Sequence, residues 1–271
     1  MIDLHTHHHR CGHARGTLAE YVAAGRARGL EVIGLSDHAP LWSRPEDHPA
    51  PGMHMPRSAF AAYVAEARAL QAEHAGGLEV LVGVEADYVE GSVETYRAEL
   101  ARHPLDYVLG SVHYVDGRHV YDRGRFEAGF DVAAFARRYL EHVRAAAESG
   151  LFDVLAHVDA WKGRAPTPWP DVADDLDRTV EAIAAADVAV EVNTSGLRKC
   201  DEPFPSDAFL RRLVEAGVPI TFGSDAHTPD EVRYGWGEVA ARLRALGVTR
   251  LATFRGRERG FVPLEAAVEA V

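Results

Sequence analysis

The chain has 271 residues, of which 47% are hydrophobic, and its formal net charge is −12 with histidine counted as neutral. This length and composition are sufficient for one large hydrophobic core. The acidic balance and the absence of a basic run argue against long polyanions such as nucleic acids as partners. A cluster of bound cations would still attract a small anion locally.

The cysteines and the N-terminal segment indicate the cellular compartment of the protein. Cys11 and Cys200 are too few for a disulfide framework in a chain of this length, which favours reduced thiols in a cytoplasm. The N-terminal segment has no apolar signal-peptide region, and no run is long enough to span a bilayer. We therefore expect a soluble cytoplasmic protein.

Apolar, β-rich runs alternate with helical patterns along the chain. Strands are predicted for residues 2–4, 31–36, 79–84, 107–112, 152–156, 188–193 and 219–224. Helices are predicted for residues 18–28, 57–75, 93–102, 132–149, 172–186, 206–216 and 230–246. Near-continuous apolar strands that alternate with helices are typical of a parallel sheet covered by helices. The pattern predicts an α/β barrel and one domain over residues 1–271.

Two predicted loops, residues 39–56 and 114–130, are longer than a bare barrel needs. Each follows a strand that ends in a candidate metal ligand, so both should lie over the same end of the barrel. Long loops in that position are usually lids or binding loops, and plain surface insertions are the alternative.

Histidines and carboxylates recur just after the predicted strands. In a parallel barrel the C-terminal ends of the strands meet at one end, here called the mouth, where active sites are built. His5 and His7 face the same side, because side chains alternate along an extended segment. The donors are too many for one tetrahedral ion, which predicts two or three ions of zinc, iron or manganese. The predicted ligands are His5, His7, His13, His38, Glu85, His113, His157, Asp225 and His227.

Residues beside these ligands receive separate predictions. Glu85 is expected to bridge two ions with its two oxygens, and Asp3 and Asp37 are expected to hold ligand imidazoles from outside. His8 and His9 are not expected to be ligands, because neighbouring positions cannot all face one centre, and we expect them to face solvent or substrate. No role is predicted for His74, His103, His119 and His142.

Taken together, the motifs resemble the PHP (polymerase and histidinol phosphatase) family. The matching segments are Asp3-Leu4-His5-Thr6-His7, Cys11-Gly12-His13-Ala14, Ser36-Asp37-His38, Gly83-Val84-Glu85-Ala86-Asp87, Gly110-Ser111-Val112-His113, Ala156-His157-Val158-Asp159, Asn193-Thr194-Ser195-Gly196-Leu197-Arg198 and Gly223-Ser224-Asp225-Ala226-His227. The Gly-Ser-Val-His and Asn-Thr-Ser-Gly-Leu-Arg segments resemble the histidinol-phosphatase branch in particular. The segment His8-His9-Arg10 departs from the family pattern, which is usually less basic there.

The resemblance implies a distorted (β/α)7 barrel with three divalent metal ions at the C-terminal ends of the strands. It also implies how the ligands are shared. The first ion would be held by His5, His7, Glu85 and Asp225, the second by Glu85, His113 and His157, and the third by His13, His38 and His227.

Such a site suits hydrolysis of a phosphomonoester, because clustered cations lower the pKa of a bound water and neutralise phosphoryl oxygens. Arg198 is expected to grip the phosphate with its planar fork, the alternative being a surface arginine near an acidic neighbour. Asn193 and Ser195 are expected to bind substrate or orient their loop. Lys162, together with Arg164, is expected to add positive charge at the rim and to contact substrate.

The catalytic roles are assigned to Glu85, Asp225, His227 and Arg198. The leaving oxygen would be stabilised by a metal or protonated by a water or by His227, and the sequence leaves these open. Three functions compete: an L-histidinol-phosphate phosphatase of histidine biosynthesis, a phosphoesterase acting on small nucleotides or other phosphomonoesters, and a metal-dependent binding module without catalysis. The complete ligand set argues against the last.

Overall fold

The computed structural model of the protein describes residues 1–122, 129–163 and 165–264. Seven of its strands form one parallel sheet, and the other four form two separate hairpins. The strands are β1 (Ile2–Asp3), β2 (Val32–Leu35), β3 (Glu79–Asp87), β4 (Tyr107–Ser111), β5 (Tyr114–Val115), β6 (Arg118–His119), β7 (Val154–Leu155), β8 (Ala189–Asn193), β9 (Ile220–Gly223), β10 (Arg250–Arg255) and β11 (Glu258–Pro263). The order in the large sheet is β1-β2-β3-β4-β7-β8-β9.

The first and last strands of this sheet also meet, which closes it into a barrel. The Leu4 N–H donates to the Phe222 carbonyl oxygen at 2.9 Å, and Thr6 forms a parallel bridge with Ala226. Strands β1 and β7 have only two residues each, so the ring is distorted. The predicted distorted (β/α)7 barrel is confirmed.

Helices alternate with the barrel strands as predicted. Six of the predicted helices form within two residues of their expected bounds, and α1 begins with a capping box between Thr17 and Glu20. No helix in the described ranges combines the length and apolar composition needed to cross a bilayer. The helices are α1 (Leu18–Ala27), α2 (Arg57–Glu73), α3 (Val93–Leu100), α4 (Val132–Glu148), α5 (Ala173–Ala185), α6 (Gly196–Lys199), α7 (Asp207–Glu215) and α8 (Trp236–Ala245).

The helix predicted for residues 230–246 begins later than expected, at Trp236. Pro229–Glu231 forms a single 3₁₀ turn, and Gly235, with a φ of 69°, has a left-handed backbone that interrupts the helix. The Glu231 carboxylate instead accepts the backbone N–H of His227 at 2.8 Å. This segment therefore supports the mouth of the barrel.

The end of the barrel opposite the mouth is closed by the β10–β11 hairpin, which the sequence analysis did not predict. Thr221 Oγ1 donates to the Ala252 carbonyl oxygen at 2.8 Å. The Phe254 ring stacks on Tyr107 with ring centroids 6.4 Å apart, and the Tyr107 hydroxyl donates to the Leu4 carbonyl oxygen at 2.6 Å. This closed end is a packed, largely apolar core.

Candidate metal centre

The barrel brings the predicted ligands together at its mouth. Glu85 lies near the C-terminal end of β3, and His38, His113, His157 and Asp225 follow β2, β4, β7 and β9. All five side chains are buried, with residue exposures between 1% and 7%. The strand ends of a parallel barrel thus deliver histidines and carboxylates to one enclosed place.

Glu85 lies at the centre of this cluster, with imidazoles around both of its oxygens. Its Oε2 is 2.8 Å from His38 Nδ1 and 3.6 Å from His7 Nε2. Its Oε1 is 3.0 Å from His157 Nε2 and 3.5 Å from His113 Nε2. A carboxylate in this position can contact two cations, one on each oxygen.

Asp225 faces the same centre from the side of β9. Its Oδ1 is 3.1 Å from His7 Nε2 and 3.9 Å from His5 Nε2. His5 Nε2 is also 3.5 Å from Glu85 Oε2. The two imidazoles of the His5-Thr6-His7 segment therefore face the same two carboxylates, as their alternation along the segment predicts.

His13 and His227 form the outer side of the cluster. Their Nε2 atoms are 3.0 Å apart, and His227 Nδ1 lies 3.0 Å from the Asp225 carbonyl oxygen. Two ring nitrogens that face each other need a proton or a cation between them. The His38 ring, with its centroid 5.1 Å from that of His13, lies between this pair and Glu85.

Metal ions fit these residues, because the cluster contains buried lone pairs without donors. His5 Nε2 and His7 Nε2 are buried and have no hydrogen-bond partner among the described residues, and Glu85 Oε2 has no well-aligned hydrogen bond there, although His38 Nδ1 lies 2.8 Å away. Leaving such atoms unpaired is costly, whereas a divalent cation satisfies imidazole and carboxylate together. Three groups of predicted ligands have ligand atoms within 4.8 Å of one another and can hold an ion: His5, His7 and Asp225; His38, Glu85 and His113; and His7, His38 and His227. A fourth group with this spacing is His7, Cys11 and Asp37.

The charges of the cluster shift its pKa values in opposite directions. Burial would raise the pKa of Glu85, but its electrostatic interactions with His38, His5 and His113 lower it well below the usual range. Burial lowers the pKa of His38 to about 3. The pKa of His7 is raised to about 9, because acidic neighbours outweigh its burial. The centre thus holds an ionised carboxylate among imidazoles, which is a suitable environment for a cation.

Further carboxylates hold the ligand rings from outside. Glu191 Oε2 is 2.7 Å from His5 Nδ1, and Asp87 Oδ1 is 2.7 Å from His113 Nδ1. Carboxylate partners of this kind orient an imidazole and increase its basicity as a ligand. The sequence analysis missed the role of Glu191. Its place inside β8, rather than after it, gave no strand-end signal.

Gly223 makes room for the contact between Glu191 and His5. A Cβ at Gly223 would lie 2.5 Å from the His5 Cβ and 2.7 Å from the Glu191 Cδ. Both distances are too short for carbon atoms in contact, so a larger residue would separate the carboxylate from the ring. Glycine at the end of β9 is therefore part of the site.

Predictions for the two aspartates next to the ligands have different outcomes. Asp37 is placed as expected, with Oδ1 3.3 Å from His7 Nδ1. The expectation for Asp3 is wrong, because its carboxylate accepts the backbone N–H groups of Ser224 and Arg233, at 2.9 and 2.8 Å, instead of holding a ring. Asp3 thus connects β1 to the segment after β9 by hydrogen bonds at the mouth.

His8 and His9 also differ from each other. His9 is exposed, and its Nδ1 contacts the Gly16 carbonyl oxygen at 3.1 Å. The expectation that His8 faces solvent or substrate is wrong, because its side chain is fully buried between Asp37 and Arg10. The contrast arises because the chain turns into a 3₁₀ helix at His9–Cys11, which points consecutive rings in different directions.

Two of the predicted ligands have left-handed backbone conformations. His157 has a φ of 31° and Asp225 a φ of 53°. Such values are uncommon outside glycine and cost free energy that the surrounding structure must offset. Both residues follow barrel strands, where an extended backbone would carry the side chain past the centre. At these two positions the strain lies where the site needs particular side-chain directions.

A cavity of about 340 Å³ opens over the cluster, and we call it the metal-site cavity. Arg198 and Lys199 from α6 line it beside Glu231. The Arg198 guanidinium lies 4.6 Å from the centre of the Tyr234 ring, and its Nη2 is 3.7 Å from Glu231 Oε1. Arg198 is thus at the cavity, as predicted, with a cationic fork available to an anion.

Lys199 is a second cation at this wall, which the sequence analysis missed. Its Nζ is 2.8 Å from Ser195 Oγ and 3.4 Å from Asp225 Oδ2. Burial would raise the pKa of Asp225, but the charges of Lys199 and His5 outweigh it and hold that pKa well below its usual range. The signal was available in the sequence, since Lys199 follows Arg198 directly, but only the short helix shows that both reach the cavity.

Asn193 and Ser195 were expected to bind substrate or to orient their loop, and the structure places them behind Asp225. Asn193 Oδ1 accepts the N–H of Ser195 at 2.9 Å, and Ser195 Oγ lies 2.7 Å from Asn193 Oδ1 and 2.8 Å from Asp225 Oδ2, either of which can accept its one hydrogen. Both residues are buried, and neither lines the metal-site cavity. Their hydrogen bonds support Asp225, a predicted ligand.

Lys162 was also predicted to bind substrate, and this is not supported by its position. Its Nζ is 2.5 Å from Glu202 Oε1, 3.2 Å from Asp159 Oδ2 and 2.9 Å from the Pro203 carbonyl oxygen. The side chain is buried, with these acceptors around its ammonium group, and does not line the metal-site cavity. Arg164, the other predicted rim cation, lies outside the described residues.

The two long loops lie over the mouth as expected. Residues 39–56 contribute His54, whose Nε2 is 3.3 Å from Asp87 Oδ2. The second loop forms the β5–β6 hairpin and contributes His119 and Tyr121 to the cavity wall, while residues 123–128 lie outside the described part of the chain. His119 had been given no role, because its place on a loop gave no ligand signal.

Comparison with known proteins decides the family. The model of the PHP domain matches residues 3–195. The chain belongs to the PHP domain family. Among its PHP relatives, a probable histidinol-phosphatase of Deinococcus radiodurans is 36% identical over 262 residues, which cover 95% of this chain and 98% of the relative. The histidinol-phosphatase of Bacillus subtilis is 25% identical over 86% of this chain and 96% of its own.

Solved structures with the same PHP fold include the histidinol phosphate phosphatase of Lactococcus lactis, complexed with zinc, L-histidinol and phosphate. It superposes with a TM-score of 0.81 at 22% identity, over 96% of this chain and 98% of that one. A histidinol phosphatase structure from Listeria monocytogenes superposes with a TM-score of 0.76 at 22% identity, over 88% and 99% of the two chains. At these identities the likeness establishes the barrel, so the site must be argued from this chain's own residues.

Proposed function

We propose that this protein is a metal-dependent phosphatase that hydrolyses L-histidinol phosphate to L-histidinol and phosphate, a step of histidine biosynthesis. The observation that carries the proposal is Glu85, which lies among five imidazoles at 2.8–3.6 Å and beside a cavity with two cationic side chains. The near full-length relatives named as histidinol-phosphatases support the choice of substrate. We also propose that residues 1–271 form one PHP-type domain.

The proposed ligands divide into three sets, and Glu85 is shared by the first two. When bound, divalent ions of zinc, iron or manganese supply Lewis-acid stabilisation of the phosphoryl oxygens and lower the pKa of a water. The buried unpaired atoms of His5 and His7 support this arrangement. The sets are His5, His7, Glu85 and Asp225; Glu85, His113 and His157; and His13, His38 and His227.

Substrate phosphate is bound by the cations of α6. Arg198 presents its fork to two phosphate oxygens, and Tyr234 below the guanidinium restrains its direction. Lys199 adds a second positive charge and, with Ser195, holds Asp225 Oδ2 so that Oδ1 faces the centre. These contacts place the phosphorus of the substrate against the metal ligands, which is the positioning that phosphoryl transfer requires.

A small phosphomonoester suits the cavity better than a polymer. The volume of about 340 Å³ is in the range of small-molecule sites. The net charge of −12 disfavours a nucleic-acid chain. Small nucleotides and sugar phosphates share the phosphate group with histidinol phosphate and remain the competing substrates.

The test is release of phosphate from histidinol phosphate, small nucleotides and sugar phosphates at matched metal occupancy, with and without a chelator. We expect histidinol phosphate to have the highest kcat/KM by at least about tenfold, and the chelator to abolish turnover. Equal rates on all substrates would favour a general phosphoesterase. Metal-loaded protein that hydrolyses none of them would favour a binding module.

A further inference from the structure

A line of contacts runs from the protein surface to the mouth through the segment that departs from the family pattern. Glu66 on α2 has a partly exposed side chain, and its Oε2 accepts from Arg10 Nη2 at 2.6 Å. The other guanidinium nitrogen, Nη1, is 2.8 Å from His8 Nε2. His8 Nδ1 in turn lies 2.5 Å from Asp37 Oδ2, in a close polar contact that is not aligned as a hydrogen bond. We call Glu66, Arg10 and His8 the outer arm.

Arg10 determines which nitrogen of His8 carries the hydrogen. A guanidinium has donors and no acceptor, so His8 Nε2 must accept from it. The ring hydrogen therefore lies on Nδ1, on the side of Asp37. The ring is fully buried and lies against Tyr63, with centroids 5.3 Å apart, so it has no room to turn away. The outer arm thus presents a hydrogen to Asp37.

Asp37 passes this orientation to a predicted ligand. Its Oδ2 also accepts the Cys11 N–H at 3.2 Å, and its Oδ1 accepts the His38 N–H at 2.9 Å and contacts His7 Nδ1 at 3.3 Å. With the hydrogen of His7 on Nδ1, the lone pair is on Nε2. That atom points into the centre, 3.1 Å from Asp225 Oδ1.

We propose that Arg10 and His8 are positioning residues, which hold His7 in its metal-binding form through Asp37. The proposal rests on the proposed function, because it takes the mouth to be a metal centre. Partners of ligand imidazoles normally contribute to metal affinity, and here the contribution extends two side chains further, to the surface of the barrel. The outer arm therefore sets part of the affinity of the centre for metal.

Zinc affinity tests the proposal without relying on turnover. Metal-free protein is titrated with zinc in competition with a chromophoric chelator. Arg10→Leu should weaken zinc binding about 10- to 100-fold, the effect typical of outer partners of metal ligands. Arg10→Lys should recover part of the loss, because an ammonium group can still donate to His8 Nε2. The exposed Arg15 gives the matched control, and Arg15→Leu should bind zinc as wild type does.

A double-mutant cycle tests whether Arg10 acts through His8. In a His8→Phe background, Arg10→Leu should cause no further loss of zinc affinity. Equal losses in both backgrounds, or wild-type affinity in folded Arg10→Leu, would overturn the proposal. If circular dichroism shows that Arg10→Leu does not fold, Glu66→Gln replaces it. This variant should lose zinc affinity by up to about fivefold. Unchanged zinc affinity in Glu66→Gln would then overturn the proposal. Wild-type protein that binds no zinc would instead overturn the proposed function.

Discussion

The two ends of this barrel share the same strands and are built in opposite ways. At the closed end, Phe254 stacks on Tyr107, and the hairpin hydrogen-bonds to β9. At the mouth, buried ring and carboxylate atoms have no well-aligned hydrogen bond within the described part of the chain, and His157 and Asp225 have left-handed backbones. Packing stabilises the closed end, while the mouth holds polar groups in directions that cost free energy. The comparison teaches that folding and chemistry depend on different ends of the strands.

The largest effect should come from Glu85→Gln at the mouth. The amide keeps the shape but loses the charge on which five imidazoles converge. We expect metal content to fall and kcat/KM for histidinol phosphate to drop roughly 10³-fold, more than the 10- to 100-fold typical of outer partners. Metal analysis and phosphate release measure both. The exposed His9 gives the control, since His9→Ala should keep its metals. Wild-type metal content in Glu85→Gln would contradict the bridging role.

At the closed end, a substitution should lower stability and leave catalysis unchanged. Phe254→Ala removes a ring that is 2% exposed and should lower the free energy of unfolding by about 3–5 kcal/mol. Its kcat at a temperature where it remains folded should match wild type. Denaturant titration and phosphate release are the measurements. Phe261→Ala, on the adjacent strand and 41% exposed, should change neither. A large loss of kcat in folded Phe254→Ala would show that the two ends are coupled.

Arg198→Ala should weaken the binding of substrate phosphate and leave the metal content unchanged. Removing a charge-assisted contact to phosphate should cost about 2–3 kcal/mol in kcat/KM, or roughly 30- to 150-fold. Arg198→Lys should recover only part, because an ammonium cannot make the planar two-point contact. Inhibition by inorganic phosphate, measured alongside, should weaken in parallel. Arg211→Ala, an exposed arginine on α7, is the control. Unchanged kcat/KM would transfer the phosphate-binding role to Lys199.

The smallest of these effects should come from Glu191→Gln, which leaves every predicted ligand in place. Loss of the carboxylate 2.7 Å from His5 Nδ1 should weaken zinc binding about 10- to 100-fold, while kcat at saturating zinc stays near wild type. Competition with a chelator measures the affinity. Glu215→Gln, on the surface of α7, is the control. A loss of kcat that excess zinc does not restore would give Glu191 a role beyond orienting the ring.

Much of the barrel and of its ligand cluster was predictable, because both depend on short-range patterns. Apolar strands that end in histidine or carboxylate place those groups at one mouth, whatever the details of packing. The β10–β11 hairpin was not predicted, because it comes after the last strand–helix unit of the chain and does not belong to the repeating pattern. Its strands are defined by pairing with each other and by burial of Phe254 against Tyr107, which are long-range contacts.

The misassigned residues share a different cause. Lys162 and Lys199 both follow barrel strands, and only the fold shows that Lys162 pairs with Glu202 while Lys199 reaches the cavity. His8 appeared solvent-facing because alternation assumes a straight strand, and the 3₁₀ turn at His9–Cys11 buries it. Side-chain direction after a strand ends depends on local turns that spacing alone does not encode.

The most direct test of the account is a zinc titration of the metal-free protein, with bound zinc and release of phosphate from histidinol phosphate measured at each step. A centre built around a bridging Glu85 predicts that activity rises as more than one zinc ion binds per chain, and that it reaches its maximum only when the shared sites are filled. Full activity at one ion per chain or fewer would contradict the multinuclear centre.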